Sequence, residues 1–480
     1  MGVLTELKPQ NVFRFFEEIC SIPHGSGNVK QISDYLVSFA KVRGLKYRQD
    51  EKYNVIIWKE GSKGYENAAP VILQGHMDMV AVKEAGCSKD MEKEGLDLEI
   101  NGDYISARGT SLGGDDGIAV AYTLAILDDD SLAHPPLEAV ITVDEEIGML
   151  GADFMDMSDL KGRMFLNMDS EDEGVFTVSC AGGASAVCCF PYQTESIQTA
   201  MLRIVIDGFC GGHSGVEINK GRANANVVMG RILYSIRKHA RLISVNGGEK
   251  DNAIALSCEA LVAIPAHKQK EIKEMIGVIF EIVSAEYKIT EPNATIHVDY
   301  FGNEERKVMT VRDGDSVIQA LLHMPNGIQR MNPSMKGMVQ TSLNLGVLRT
   351  EENRVCMSYA LRSSSESEKQ FLIDKVRALA ELLGGTSEVS GNYPGWEYKE
   401  QSRLRDVLVD VFKKLYKKAP VVEGIHAGLE CGIFASRLEG LDAVSIGPEM
   451  KDIHTVHEVL SISSVQRTWE LVIKTLEALR

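Results

Sequence analysis

Four short apolar segments of this chain end abruptly in acids or histidines, and this repeated ending restricts the fold more than any other feature. "VILQG" (71–75) runs into His76 and Asp78, and "LEAVITV" (137–143) runs into Asp144, Glu145 and Glu146. "MFLNMD" (164–169) closes on Asp169, and "AVSIG" (443–447) leads into a loop holding His454 and His457. Short apolar runs separated by helical patterns, such as "GIAVAYTLAILDD" (117–129), predict an α/β layer with a mostly parallel sheet. Open sheets of this kind bind ligands beyond the carboxyl ends of their strands. The polar endings are therefore expected to converge on one edge.

The same alternation covers helical stretches at 11–20 and 29–43 and a strand at 54–58. Beyond residue 187 the texture changes. "AMLRIVIDGF" (200–209) alternates as a sheet with one solvated face does, and helices at 224–240 and 267–287 follow. A similar order recurs from 305 to 385, so this stretch reads as two α+β halves. Near 392–399 the first pattern returns. The expected architecture is a discontinuous α/β catalytic domain, 1–187 and 396–480, with a mixed, mostly parallel sheet and helices on both faces. It carries an inserted α+β lid domain at 188–395.

Composition narrows the function classes. Of 480 residues, 44% are hydrophobic and 25% charged, with a formal net charge of −17. Such a field repels phosphate backbones and anionic membranes, and no basic block offsets it, so neither nucleic acid nor a membrane is expected as partner. No apolar run is long enough to span a bilayer. The opening residues lack the apolar core and cleavage site of a secretory signal, and Glu6 stands where an N-myristoylation motif needs Ser or Thr. The nine cysteines form no C-x-x-C pair, which predicts small buried hydrophobes in a reducing compartment rather than a disulfide framework or a cysteine zinc site. The expected location is cytoplasmic.

Each polar ending alone has a bland reading. Asp115 and Asp116, after Gly113 and Gly114, suit a helix N-terminus, and His76 with Asp78 would suit a loop. Three consecutive carboxylates at 144–146 repel one another and call for a cation. In extended chain His76 and Asp78 point the same way, so a carboxylate can hold an imidazole whose other nitrogen binds metal. Together the imidazoles and carboxylates form the mixed N/O set that suits zinc, cobalt or manganese. A dinuclear metal hydrolase follows.

The ordered motifs "QGHMDMV", "GTSLGGDDGIAVA", "DEEIGMLGA", "CGGHSGVEI" and "EGIHAGLECGIF" resemble those of the M20 metallopeptidase family, and within it the cytosolic Xaa-His dipeptidases. The likeness covers essentially the whole chain. It implies two divalent ions, Zn2+ or alternatively Co2+ or Mn2+, with His76 and Asp169 on one, Glu146 and His454 on the other, and Asp115 bridging. Thr455, matching the family's Ser/Thr after the last ligand, selects His454 over His457. Asp78 would orient His76, and Glu145 would act as general base. His213 would reach the substrate carbonyl, Asn252 would help bind substrate, and Arg362 would meet the substrate's terminal carboxylate or form a structural salt bridge.

The implied reaction is hydrolysis of small peptides, preferentially Xaa-His including β-alanyl-histidine. A water between two metals roughly 3.5–4 Å apart would attack the peptide carbonyl. Other M20 activities, such as N-acyl amino acid deacylation, would use the same core, and a catalytically silent binding protein would lack one of its members. The insert implies either a homodimer or two halves that fill the partner's role within one chain.

Overall fold

The Val71–His76, Leu137–Thr142 and Met164–Asn167 strands are buried along their whole length, because both faces of their sheet are covered by helices, and their composition follows from that. In the computed structural model, which describes residues 2–480, they lie at the centre of an eight-stranded sheet. Its order is Lys46–Gln49, Val55–Lys59, Leu137–Thr142, Val71–His76, Met164–Asn167, Asp442–Ser445, Val175–Cys180 and Val421–Ile425. The inner four run parallel, and antiparallel strands flank them. The sheet is mixed with a parallel core.

The Gly114–Asp128 helix is buried nearly throughout and packs between the Gln10–Cys20 helix and the Val71–His76 strand. One glycine permits this. A Cβ on Gly75 would strike the Asp116 carboxylate and stand 2.7 Å from the Ala119 Cβ. Gly75 thus lets the helix that carries the acidic pair approach the end of the central strand. Elsewhere in this unit Phe434, from the Glu430–Arg437 helix, meets Phe165 at a ring separation of 4.8 Å.

A smaller four-stranded sheet joins Leu98–Asn101, Tyr104–Ala107, Val459–Ser461 and Met450–Lys451. Its hairpin between Met450–Lys451 and Val459–Ser461 presents His454 in the connecting turn. Sequence reading left this segment as a plain loop, because strands of two and three residues carry too little periodicity to detect.

The chain divides into two compact units: one runs to Cys180 and adds Tyr398–Gly424 and Leu429–Arg480, and the other is Ala181–Glu397 with Ile425–Gly428. The expected boundary at 187/188 falls inside the Gly182–Pro191 strand, whose small residues hide its strand character. This second unit is built on a nine-stranded antiparallel sheet. Its strands alternate in burial, as in Thr194–Asp207, and their inner residues form one core with the Ala225–Ile236, Gln269–Glu286, Val311–His323 and Glu366–Leu382 helices. The sheet has two groups of strands, joined where Arg241–Gly247 meets Val339–Thr350 through the single register pair Gly247 and Leu348; they do not follow the expected halves, because Gly182–Pro191 pairs with Arg354–Ser363.

One cysteine expectation is overturned. Cys189 and Cys356 form a disulfide, because antiparallel pairing of Gly182–Pro191 with Arg354–Ser363 sets them directly opposite, a proximity no linear spacing reveals. Of the remaining seven, Cys20, Cys180, Cys188, Cys258 and Cys431 are buried, as small hydrophobes are. Among the described residues no helix is long and apolar enough to cross a membrane.

Replacing Phe165 by Ala removes a fully buried ring; unfolding stability of its unit should fall by about 3–5 kcal/mol, read from urea denaturation followed by tryptophan fluorescence.

Candidate metal centre

His76 closes its strand with the ring turned into the unit, 1% exposed. Its Nδ1 lies 2.9 Å from the carbonyl oxygen of Asp78. A carbonyl only accepts, so Nδ1 carries the proton and the Nε2 lone pair is left free. Nε2 faces Asp115 Oδ1 at 3.2 Å and Asp169 Oδ1 at 3.7 Å. The second oxygen of Asp115 lies 3.0 Å from His454 Nε2, which in turn stands 3.0 Å from Glu146 Oε1. One carboxylate thus presents an oxygen to each imidazole, with Asp169 on one side and Glu146 on the other.

The Asp78 carboxylate stands 3.4 Å from His76 Nδ1, farther than the backbone carbonyl of the same residue. Its oxygens also accept from Ser26 Oγ at 2.8 Å and from the backbone N–H groups of Glu145 and Glu146 at 3.1 and 3.4 Å. Asp78 therefore anchors the acidic turn as well as the histidine.

Glu458 does the same for the glycine turn. Almost fully buried, it accepts backbone N–H bonds from Leu112 at 2.8 Å, Gly113 at 3.1 Å, Gly114 at 2.8 Å and Asp115 at 3.4 Å. Sequence reading noted the H-T-V-H-E string without giving this glutamate a task. Thr455 fixes the other end of that string: its Oγ donates to the Asp452 carbonyl at 2.6 Å and accepts from His457 N–H at 3.1 Å. This turn holds His454 at φ +62°, a left-handed conformation that a non-glycine residue adopts at a cost. His457 is exposed, and its ring makes no hydrogen bond or ion pair among the described residues.

A second omission lies beneath the site. Glu430 is fully buried and accepts from Gln74 Nε2 at 2.5 Å and Thr142 Oγ at 2.6 Å, while Gln74 accepts from Asn167 at 2.6 Å. Gln74, Thr142 and Asn167 sit on the three central strands just before their polar ends, and Glu430 opens the helix that meets them. They supply a polar layer that an apolar-run reading passes over.

Electrostatics shows what the cluster lacks. Burial, with the charges of Asp115 and Glu146 added and His76 opposing, lifts Asp169 to about 6. Burial likewise raises Asp116, Glu145 and, to about 7, Glu430. Burial would also raise Asp115, but His454 and His76 hold it below the usual carboxylate range. The reverse pull from Asp115 and Glu146 pushes His454 up to about 10. So many buried acids are stable as anions only beside cations. Asp116 Oδ1 is buried with no hydrogen-bond partner among the described residues, and Glu146 Oε1 is buried with His454 Nε2 at 3.0 Å beside it; donor atoms of His76, Asp115 and Glu146, and of His76, Asp116 and Asp169, gather within 4.8 Å. The unpaired Asp116 oxygen, the free imidazole lone pair and the N/O composition fit divalent cations. Asp116 is a donor candidate that sequence reading passed over in favour of Asp115.

The remaining expected residues belong to the second unit. His213 Nδ1 accepts from the N–H groups of Gly215 at 3.3 Å and Val216 at 3.2 Å, so Nε2 carries the proton. Arg362 NH2, 3.4 Å from that nitrogen, then finds no lone pair to bond. Arg362 is 9% exposed, its Nε has no partner, and it has no carboxylate partner among the described residues. Nearby His426 is buried, and its Nε2 meets Ser342 Oγ at 2.7 Å. Burial and the charge of Arg362 push it down to about 3. Asn252 is exposed; its backbone carbonyl holds the Ser214 N–H at 2.9 Å, while its amide makes no hydrogen bond among the described residues.

Comparison with known proteins agrees with this chemistry. Residues 72–478 match the family described as Peptidase family M20/M25/M40. The chain is 35% identical, over 99% of both lengths, to the cytosol non-specific dipeptidase of Escherichia coli (strain K12). It superposes on the crystal structure of aminoacylhistidine dipeptidase from Vibrio alginolyticus with a TM-score of 0.94 and 35% identity, covering 99% of this chain and 98% of that one. Aminopeptidase PepT from Bacillus cereus, 15% identical with a TM-score of 0.58 over 98% of this chain and 99% of its own, shares the fold. The protein belongs to the M20/M25/M40 peptidase family.

Glu458→Gln removes the charge and one of the two accepting oxygens beneath the glycine turn. Zinc affinity, measured by competition with a chromophoric chelator, should fall about 10–100-fold while the protein stays folded by circular dichroism.

Proposed function

We propose that this protein is a metal-dependent dipeptidase acting in the cytoplasm, with two divalent ions, zinc foremost and cobalt or manganese as substitutes. The observation that carries the reading is Asp115, whose two oxygens face His76 and His454 at 3.2 and 3.0 Å. In this proposal His76 and Asp169 would hold one ion, Glu146 and His454 the other, and Asp115 would serve both. Bound metal supplies Lewis acidity and an acidified water. The shared family and the two dipeptidase relatives support the activity.

The chain's own groups then have distinct tasks. Glu145 follows Asp144 on the acidic turn anchored by Asp78, and its carboxyl group makes no hydrogen bond among the described residues. Burial, reinforced by Asp169, Glu430 and Glu146, raises its proton affinity, as suits a group that takes a proton from water and returns it to the leaving amine. His213, with a proton on Nε2, is a donor for the oxygen that becomes negative in the tetrahedral state. Arg362, a buried cation without an anion, is the proposed receptor for the free carboxylate of a dipeptide. Asn252 is proposed to contribute a further substrate contact.

Within dipeptides we propose a preference for Xaa-His, including β-alanyl-histidine. The Vibrio alginolyticus relative is named for aminoacyl-histidine and the Escherichia coli relative as non-specific, so breadth is the point to test. Chelated enzyme given back zinc, cobalt or manganese is assayed on β-alanyl-histidine, α-Xaa-His and histidine-free dipeptides, a tripeptide and N-acetyl amino acids. Higher kcat/KM on Xaa-His supports the preference. Equal rates on histidine-free dipeptides overturn it, and faster cleavage of N-acetyl amino acids overturns the dipeptidase reading.

Glu145→Gln should lower kcat by more than about 100-fold with metal content unchanged by atomic absorption. Arg362→Met should raise KM about tenfold or more for dipeptides with a free carboxylate, yet leave the already weak cleavage of dipeptide amides unaltered.

A further inference from the structure

A cavity of about 950 Å³ lies wholly within the second unit and is lined by none of the residues assigned above. Its floor is apolar, formed by Leu242, Ile264 and Ile318 among others, and its walls carry Arg237, Lys238, Arg241 and Arg312 against a single acid, Asp315. That balance runs against the composition of the chain, which has 68 acidic and 51 basic residues.

The cations are only partly neutralised. Arg237 lies over the Tyr234 ring at 3.6 Å and reaches Asp315 only at 3.7 Å. Arg241 is held by Glu195 at 2.5 Å and by the Met309 carbonyl, yet its Nε is buried without an acceptor. Lys238 and Arg312 have no ion-pair partner among the described residues. The Val311–His323 helix also begins at the cavity wall. Its cap Thr310 accepts from Asp313 N–H, and the Asp313 carboxylate is turned to the Gln193 backbone at 2.8 Å, leaving Asp315 as the acid of this helix that lines the cavity. Three arginines and a lysine lining one cavity suit a phosphate, and an apolar floor suits a flat or aliphatic body attached to it.

We propose that this cavity is a binding site for a small phosphate-bearing organic molecule, with Arg241 and Arg312 gripping the phosphate and the Leu242–Ile264–Ile318 floor covering the apolar part. The site is separate from the proposed dipeptide chemistry and does not rest on it.

Hydrogen–deuterium exchange of the full-length, metal-loaded protein tests this with adenosine monophosphate as probe, because it reports where protection arises. Millimolar nucleotide should slow exchange in peptides covering 237–242 and 310–319. Arg312→Gln, an exposed position that leaves folding intact, should weaken the effect about tenfold or more, and Arg241→Gln should do likewise. Lys375→Gln, the same charge change at an exposed lysine elsewhere in this unit, should leave it unaltered. Adenosine without phosphate should give no protection. Inorganic phosphate protecting the same peptides as well as the nucleotide does would confirm the phosphate grip and overturn the apolar floor as a recognition element. Protection absent or confined to the metal centre, equal protection by adenosine, or equal loss in Lys375→Gln would overturn the site.

Discussion

Everything in the first unit is arranged so that one buried carboxylate can face two imidazoles. Asp115 would repel its neighbours Asp116, Asp169 and Glu146 in any medium of low dielectric constant. Its place next to His76 and His454 offsets that repulsion and holds it ionised. The remaining carboxylates are left with raised proton affinity or unpaired oxygens. A cluster with so much uncompensated charge lowers stability when empty and gains most from divalent cations. Placing it at the ends of four parallel strands makes the arrangement affordable, because a rigid sheet holds each group in place.

That rigidity is built from small choices in sequence. Gly75 opens the space into which Asp116 and Ala119 fit. Glu458 gathers four backbone N–H groups of the glycine turn, and Asp78 gathers two from the acidic turn. These two carboxylates set the backbone that carries Asp115, Glu145 and Glu146, so the groups that face the candidate metal centre owe their positions to buried acids one step away. The second unit follows a different rule. Its antiparallel sheet buries one face in a single core, leaving polar clusters such as Arg362 with His213 and His426, and the cationic cavity, at places where the two strand groups and their helices leave room.

Legibility differed between these layers. The apolar runs of 71–75, 137–143 and 164–169 declared buried strands because both faces are covered, and the acids and histidines after them stood out against that background. The second unit was recognisable as α+β from period-two alternation in stretches such as 200–209. Its first strand was not, since "GGASAVCC" has small residues at both parities. The Glu458 anchor and the Glu430–Gln74–Asn167 layer were hidden for another reason: an isolated acid or amide in sequence carries no sign of which backbone amides it will meet.

What the sequence by itself determined is the chemistry available: which strands are buried on both faces, which acids and histidines follow them, and the family to which the order of motifs belongs. Those properties are local, written in hydrophobic period and residue type. Only the tertiary structure decided that His76 turns a free Nε2 toward Asp115, that His454 Nε2 stands 3.0 Å from both Asp115 and Glu146, that Cys189 meets Cys356, and that four cations line one cavity. Each of these depends on register and on turns that bring together residues tens to hundreds of positions apart, and such distances are set by the packing of whole elements rather than by any stretch of chain.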